Sequence, residues 1–137
     1  MTRIYGVIAV VLLTVFLVSC GSDESNKAKS IIRNQTSVIE DYVNGLADAK
    51  NTDEVVAAIE VYTEDMKKLI PGLQEFQKNY PEYKQGKIPE GMEADLKRLE
   101  AASAELPGVM MKETVYMMDN KVRAAMEHMG HEMSKLQ

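Results

Sequence analysis

An uninterrupted heptad pattern between residues 55 and 80 constrains the fold of this chain more than any other feature. Such alternation of four- and three-residue spacings is typical of a helix that packs along neighbouring helices. The pattern is formed by Val55, Ile59, Tyr62, Met66, Leu69, Leu73, Phe76 and Tyr80. Pro71 lies inside it and does not shift its phase. We therefore predict one helix that is kinked at Pro71; a break at Ile70 followed by a separate turn is the alternative.

Three further segments show the one-sided apolar spacing of helices that face a core. They cover about residues 28–49, 92–105 and 109–129. Their core-facing positions are Ile32, Ile39, Tyr42, Leu46 and Ala49 in the first segment, Met92, Leu96, Leu99, Ser103 and Leu106 in the second, and Met111, Val115, Met118, Val122, Ala125 and Met129 in the third. In the first segment, Gln35 occupies the position between Ile32 and Ile39 where an apolar residue is missing.

The connections between these segments carry turn and cap signals. Asn51 is a candidate N-cap with Glu54 three residues later, which is a variant of the capping box. Residues 80–90 contain two prolines and one glycine and predict a loop. Pro107-Gly108 predicts a tight turn that makes the last two helices antiparallel neighbours. The sequence therefore predicts an all-α fold, an antiparallel bundle of about four helices.

The N-terminal 19 residues have the organisation of an export signal. Arg3 precedes an apolar run from Tyr5 to Val18 that only Thr14 interrupts. As a helix this run spans about 21 Å, which is shorter than the roughly 30 Å hydrocarbon core of a bilayer. A positive charge, a short apolar run and a small residue at its end describe a cleaved signal peptide. An uncleaved N-terminal membrane anchor is the alternative.

The end of this run, Leu17-Val18-Ser19-Cys20, resembles the lipobox of bacterial lipoprotein precursors. Leu lies three positions before the Cys, and the small residues Ser19 and Gly21 flank it. The resemblance implies a diacylglyceryl thioether on Cys20, cleavage after Ser19, and acylation of the new amino terminus. Several acyl chains hold a protein stably at a membrane, whereas one chain binds marginally.

The same resemblance indicates where the protein resides. Cys20 is followed by Gly21 and Ser22, and not by the Asp that keeps enterobacterial lipoproteins in the inner membrane. The expected location is therefore the periplasmic face of an outer membrane. We expect residues 1–19 to be removed, residues 20–27 to form the lipidated Cys and a short polar tether, and residues 28–137 to form the helical domain.

Composition excludes several classes of function. A formal net charge of −5 argues against non-specific nucleic-acid binding, which needs a basic face. The single Cys allows neither an intrachain disulfide nor a zinc site built on several cysteines. The two histidines lie together near the C-terminus, and the sequence shows no nucleophile, base and acid in a catalytic pattern. The sequence therefore predicts a protein that is not an enzyme.

Methionine and histidine are concentrated near the C-terminus. Thioether and imidazole groups are ligands of copper(I), and imidazole also binds copper(II). A copper or silver site would use Met126, His128, Met129, His131 and Met133. Helical geometry opposes it, because the three methionines fall on one stripe and the two histidines on another. Core packing for the methionines and exposure for the histidines is the alternative, unless the helix ends at Gly130 and brings His131 round.

Two polar residues occupy core-facing positions of the predicted helices. Gln35 and Ser103 could bond to each other, fix the register of the helices, or line a small ligand cavity. The lipobox and the absence of a catalytic pattern favour a lipid-anchored, non-catalytic binding or interaction module of the cell envelope. Its expected partners are the lipid bilayer and an envelope protein or small ligand, and a homodimer is compatible with the heptads. A metal-binding protein of the envelope is the alternative.

Overall fold

The expected all-α fold is confirmed in the computed structural model, which describes the backbone of residues 4–136 and the side chains of residues 23–136. No β-strand occurs in that part of the chain. The α-helices are α1 (Ile4–Asp48), α2 (Thr52–Asn79), α3 (Glu93–Lys112), the single turn α4 (Thr114–Met117) and α5 (Asn120–Met133). The predicted signal peptide and the Cys20 side chain lie outside the residues whose side chains are described.

The chain divides into two units, Met1–Ser30 and Ile31–Gln137. In the first unit, the described side chains of residues 23–30 are mostly exposed and lie on the helix α1. Residues 23–27, expected to form a tether, continue this helix because neither Gly nor Pro interrupts it there. Within the residues searched, no helix is both long and apolar enough to cross a membrane.

The core of the second unit follows most of the predicted apolar stripes, with local differences. Its buried apolar side chains include Ile32, Ile39, Tyr42, Val43, Leu46, Val55, Ile59, Met66, Leu73, Phe76, Met92, Leu96, Leu99, Ala102, Val109, Val122 and Ala125. Thr36 and Thr63 are each 1% exposed and lie beside the expected positions Gln35 and Tyr62. Each hydroxyl donates a hydrogen bond to the carbonyl four residues earlier, which satisfies it inside the core. The buried positions return to the predicted stripes at Ile39 and Met66, so the difference is confined to one position in each helix.

Helices α1 and α2 form an antiparallel hairpin. The rings of Tyr42 and Tyr62 stack with their centroids 4.4 Å apart. A Cβ placed on Gly45 would lie only 3.3 Å from that of Ala58, so the two backbones approach closely there. Helix α2 continues through Pro71 as a single helix, which the unbroken heptad pattern predicts. The bend expected at Pro71 stays a prediction.

The cap between these helices agrees with the sequence. The Asn51 side-chain oxygen accepts a hydrogen bond of 3.0 Å from the backbone N–H of Glu54. The Glu54 carboxylate in turn accepts from the backbone N–H of Lys50 at 2.7 Å. These bonds satisfy amide groups at the start of α2 that have no partner within the helix.

The other helix pairs of the second unit run parallel. Two bidentate ion pairs join α1 to α3: Arg33 with Asp95, and Glu40 with Arg98, with shortest distances of 2.7 Å in both. Helix α5 packs along α2, with Lys121 paired to Asp53 near the start of both helices. The second unit therefore contains an α1–α2 hairpin with α3 beside α1 and α5 beside α2.

The predicted turn at Pro107-Gly108 is wrong, because α3 continues through both residues to Lys112. Pro107 is exposed, and Val109, only 8% exposed, extends the buried face of α3 beyond it. The chain turns instead around α4, and the Asp119 side chain caps α5 by accepting from the N–H of Lys121 at 2.8 Å. The later turn changes the helical phase, so the expected core residues before it are exposed: Met111 by 77%, Val115 by 81% and Met118 by 77%.

We expect the stacked Tyr42 to make the fold sensitive to alkali. Burial raises the pKa of its phenol to about 12, with a smaller contribution from Tyr62. A tyrosine in the unfolded chain ionises near 10, so the contribution of Tyr42 to stability should be constant below that pH and fall as the pH rises towards 12. Urea unfolding across this range should show a smaller fall for Tyr42→Phe than for the unmodified protein. Tyr80→Phe, which removes a half-buried phenol outside the stack, is the control; an equal fall in both variants would contradict the assignment to Tyr42.

Candidate ligand groove and the methionine–histidine segment

An open groove of about 760 Å³ lies between α1, α3 and the loop that precedes α3. Its volume falls in the range of small-molecule binding sites. The groove, here called the α1–α3 groove, is lined by Gln35, Tyr83, Ile88, Glu93, Leu96, Lys97, Leu99, Glu100 and Ser103. It is therefore the first place to test for ligand binding in this fold.

Helix α3 forms most of the groove. Glu93, Leu96, Glu100 and Ser103 recur every three or four residues, which places them on one side of the helix. Leu96 and Leu99 are each only 8% exposed and form an apolar wall. The groove thus combines apolar and polar lining residues.

Gln35 and Ser103 line the same groove. In the sequence, a shared ligand cavity was one of three possible roles for these two residues. Both side chains are half-buried. No hydrogen bond joins them to each other or to another described residue. An amide and a hydroxyl can each donate and accept hydrogen bonds, so this capacity is open to a ligand. The observation favours the ligand-cavity alternative over a hydrogen bond between the two side chains.

The loop that closes one side of the groove is held by aromatic packing. Tyr83 meets the ring of Phe76 edge-on at 5.4 Å, and Tyr80 lies 5.0 Å from the same ring. Gly86 and Gly91 have φ angles of 78° and 77°, which side chains with a Cβ rarely adopt. These turns carry Ile88, 54% exposed, to the groove edge. The sequence identified this segment as a loop but gave no signal that Tyr83 and Ile88 face α3.

The charged groups of the groove do not share one sign. Glu93, Lys97 and Glu100 line it, and all three are exposed. Exposed charges are solvated and contribute weakly to binding. The groove therefore selects a ligand by its apolar surface and its hydrogen bonds more than by its charge.

The methionine–histidine segment is placed on α5 and its C-terminal end. His128 and His131 are exposed, whereas Met126, Met129 and Met133 are half-buried. Helix α5 does not end at Gly130 but continues to Met133, so no cap there turns His131 towards the methionines.

The surroundings of His128 are acidic. It lines a cleft with Glu60 and Glu64 of α2. On α5, Glu132 is 7% exposed, and the Lys135 ammonium, 2.7 Å away, lowers the pKa of this carboxyl. Among the residues searched, no group of three or more His, Cys, Asp or Glu side chains is arranged to hold a metal ion. The structure places the five proposed metal ligands on one helix, α5, and the copper or silver site stays a prediction.

Cys20, the predicted lipidation site, has no described side chain. Its proposed role therefore rests on the lipobox, and the role of the α1–α3 groove on the geometry given above. Comparisons with protein families, with curated proteins and with solved structures find no match to this chain.

Proposed function

We propose that this protein is a lipid-anchored module of the bacterial cell envelope that binds a small amphipathic ligand in the α1–α3 groove and does not catalyse a reaction. The observation that carries the proposal is the pair Gln35 and Ser103: two half-buried polar side chains without described hydrogen-bond partners, in a groove walled by Leu96 and Leu99. An apolar pocket with a few convergent polar groups is the usual form of a ligand site.

The proposed membrane attachment rests on the sequence. In this proposal residues 1–19 act as a cleaved signal, and Cys20 carries acyl chains that hold the helical domain at the periplasmic face of an outer membrane. The LVSC motif after a short apolar run supports it. A lipid anchor keeps the domain where amphipathic molecules are concentrated, which fits a groove of mixed polarity.

The chemistry of the groove defines the ligand class. Leu96 and Leu99 favour an apolar body, because burying apolar surface stabilises the complex by about 25 cal/mol per Å². Gln35 and Ser103 favour an uncharged end that donates and accepts hydrogen bonds. An alkyl chain attached to a neutral hydroxylated group has both features, and octyl glucoside is a suitable probe.

Fluorescence tests this proposal, because the chain contains no Trp. The variant Ile88→Trp places a single reporter at the groove edge. The full chain in phosphatidylcholine nanodiscs is titrated with octyl glucoside below its micelle-forming concentration. We expect a saturable change in emission. In the Ile88→Trp protein, the further substitution Ser103→Phe should reduce this change in emission at least tenfold, because the phenyl ring fills the groove.

Ala104→Phe is the matched control. It adds the same ring at the next residue of α3, which is exposed and does not line the groove. Circular dichroism verifies that both variants keep their helix content. An equal response in all three proteins would show that the probe reports only partition into lipid, and would refute the groove as a ligand site.

A further inference from the structure

A second surface, here called the α1–α2 furrow, is separate from the α1–α3 groove and follows the contact between α1 and α2. Its lining includes Val38, Gly45, Ala57, Ala58 and Val61, together with the stacked Tyr42 and Tyr62. Gly45 and Ala58 lie within it, where the backbones of the two helices approach closely. Val61 is 60% exposed in the furrow although it is a large apolar residue on α2. An accessible apolar strip between two helices is the form of surface that accepts a third helix.

The edges of the furrow are acidic. Asp41, Glu54 and Asp65 line it, and no Lys, Arg or His is among its lining residues. Asp41 has no ion-pair partner in the described part of the chain. Asp65 pairs with Lys68 at 2.6 Å, but the Lys68 side chain is 72% exposed, so a partner's cation can replace it at little cost. The furrow therefore presents one sign of charge on both of its helices.

The charge determines which occupant fits. A second copy of this chain on the same face would bring three carboxylates against three identical ones, which is unfavourable. Anionic lipid headgroups would be repelled for the same reason. We propose that the α1–α2 furrow docks a cationic amphipathic helix of a partner protein. Its apolar stripe lies on Val61 and the small residues, and its Lys or Arg side chains pair with the acidic edges.

The dimensions set the length of the probe. From Glu54 to Asp65 helix α2 rises about 17 Å, so a helix of roughly 12 residues matches the length of the furrow. A synthetic helix with leucine and alanine on one face and lysine on both flanks serves as the probe. A peptide of the same sequence with glutamate in place of lysine is its counterpart. Binding is measured by fluorescence anisotropy to the full chain in phosphatidylcholine nanodiscs.

Charge reversal at one position gives the decisive comparison. Asp41→Lys should weaken binding of the lysine peptide at least tenfold. Glu60→Lys changes the net charge by the same amount on an exposed residue that lines the cleft beside His128, not the furrow, and should change affinity less than twofold. Val61→Glu, at an exposed position that does not affect the core, should also weaken binding.

Three results would overturn the proposal. The first is equal binding of the lysine and glutamate peptides. The second is an equal loss of affinity for Asp41→Lys and Glu60→Lys, which would show attraction to overall charge alone. The third is no binding of the lysine peptide to the unmodified protein. Because none of these results involves the α1–α3 groove, failure here is distinguishable from failure of the proposed ligand site.

Discussion

Replacing Ile59 with alanine is expected to lower the free energy of unfolding by about 2–5 kcal/mol. Ile59 lies in the first third of α2 and is 0% exposed, so the shortened side chain leaves a cavity that the surrounding core cannot fill completely. Domains of this kind are stable by about 5–15 kcal/mol, so the loss is a large share of the total. Urea unfolding followed by circular dichroism measures the effect.

Val61→Ala provides the control for this substitution. It truncates another branched apolar residue on the same helix, but at a position that is 60% exposed. We expect its effect to remain within about 0.5 kcal/mol, as for most surface substitutions. If the two variants lost the same stability, burial of the Ile59 side chain would not explain the loss, and the assignment of Ile59 to the core would be wrong.

Replacing Cys20 with serine is expected to abolish lipidation of the protein completely. The proposed thioether forms on the thiol, and serine has no sulfur to carry it. In cells fed an alkyne-tagged fatty acid, the unmodified protein should carry the label, and its intact mass should show the loss of residues 1–19 and the addition of acyl chains. The Cys20→Ser protein should carry no label and should keep its signal segment.

Ser19→Ala, at the residue directly before Cys20, is the matched control. It keeps a small residue directly before the Cys, so labelling and cleavage should continue. If the unmodified protein carried no label and kept residues 1–19, the result would support the uncleaved membrane anchor and refute the lipid attachment. The α1–α3 groove and the α1–α2 furrow would still be open to their own tests.

The helices that the sequence predicted best are those with an unbroken apolar face. The pattern of α2 is readable throughout because this helix packs against α1 on one side and α5 on another. The turn after α3 was misplaced because Pro-Gly pairs normally mark turns. Here the buried Val109 continues the helix past Pro107, and nothing in the local sequence reveals that contact.

The candidate site was only partly predictable. Gln35 and Ser103 are conspicuous in the sequence because they are polar residues at core-facing positions, and both line the α1–α3 groove. Tyr83 and Ile88 could not be assigned to it, because the position of a loop depends on tertiary contacts such as that between Tyr83 and Phe76. The furrow was also missed, since its acidic edges come from two helices and meet only when those helices pack.

The outward position of the methionines near the turn after α3 has a chemical consequence. Oxidation converts methionine to a polar sulfoxide, which disrupts a core but is tolerated at a surface. Met111 and Met118 are each 77% exposed, whereas Met66 and Met92 are 3% and 1% exposed. An oxidant therefore reacts first with the exposed methionines Met111 and Met118. Their oxidation leaves the core intact, because the buried methionines are reached later.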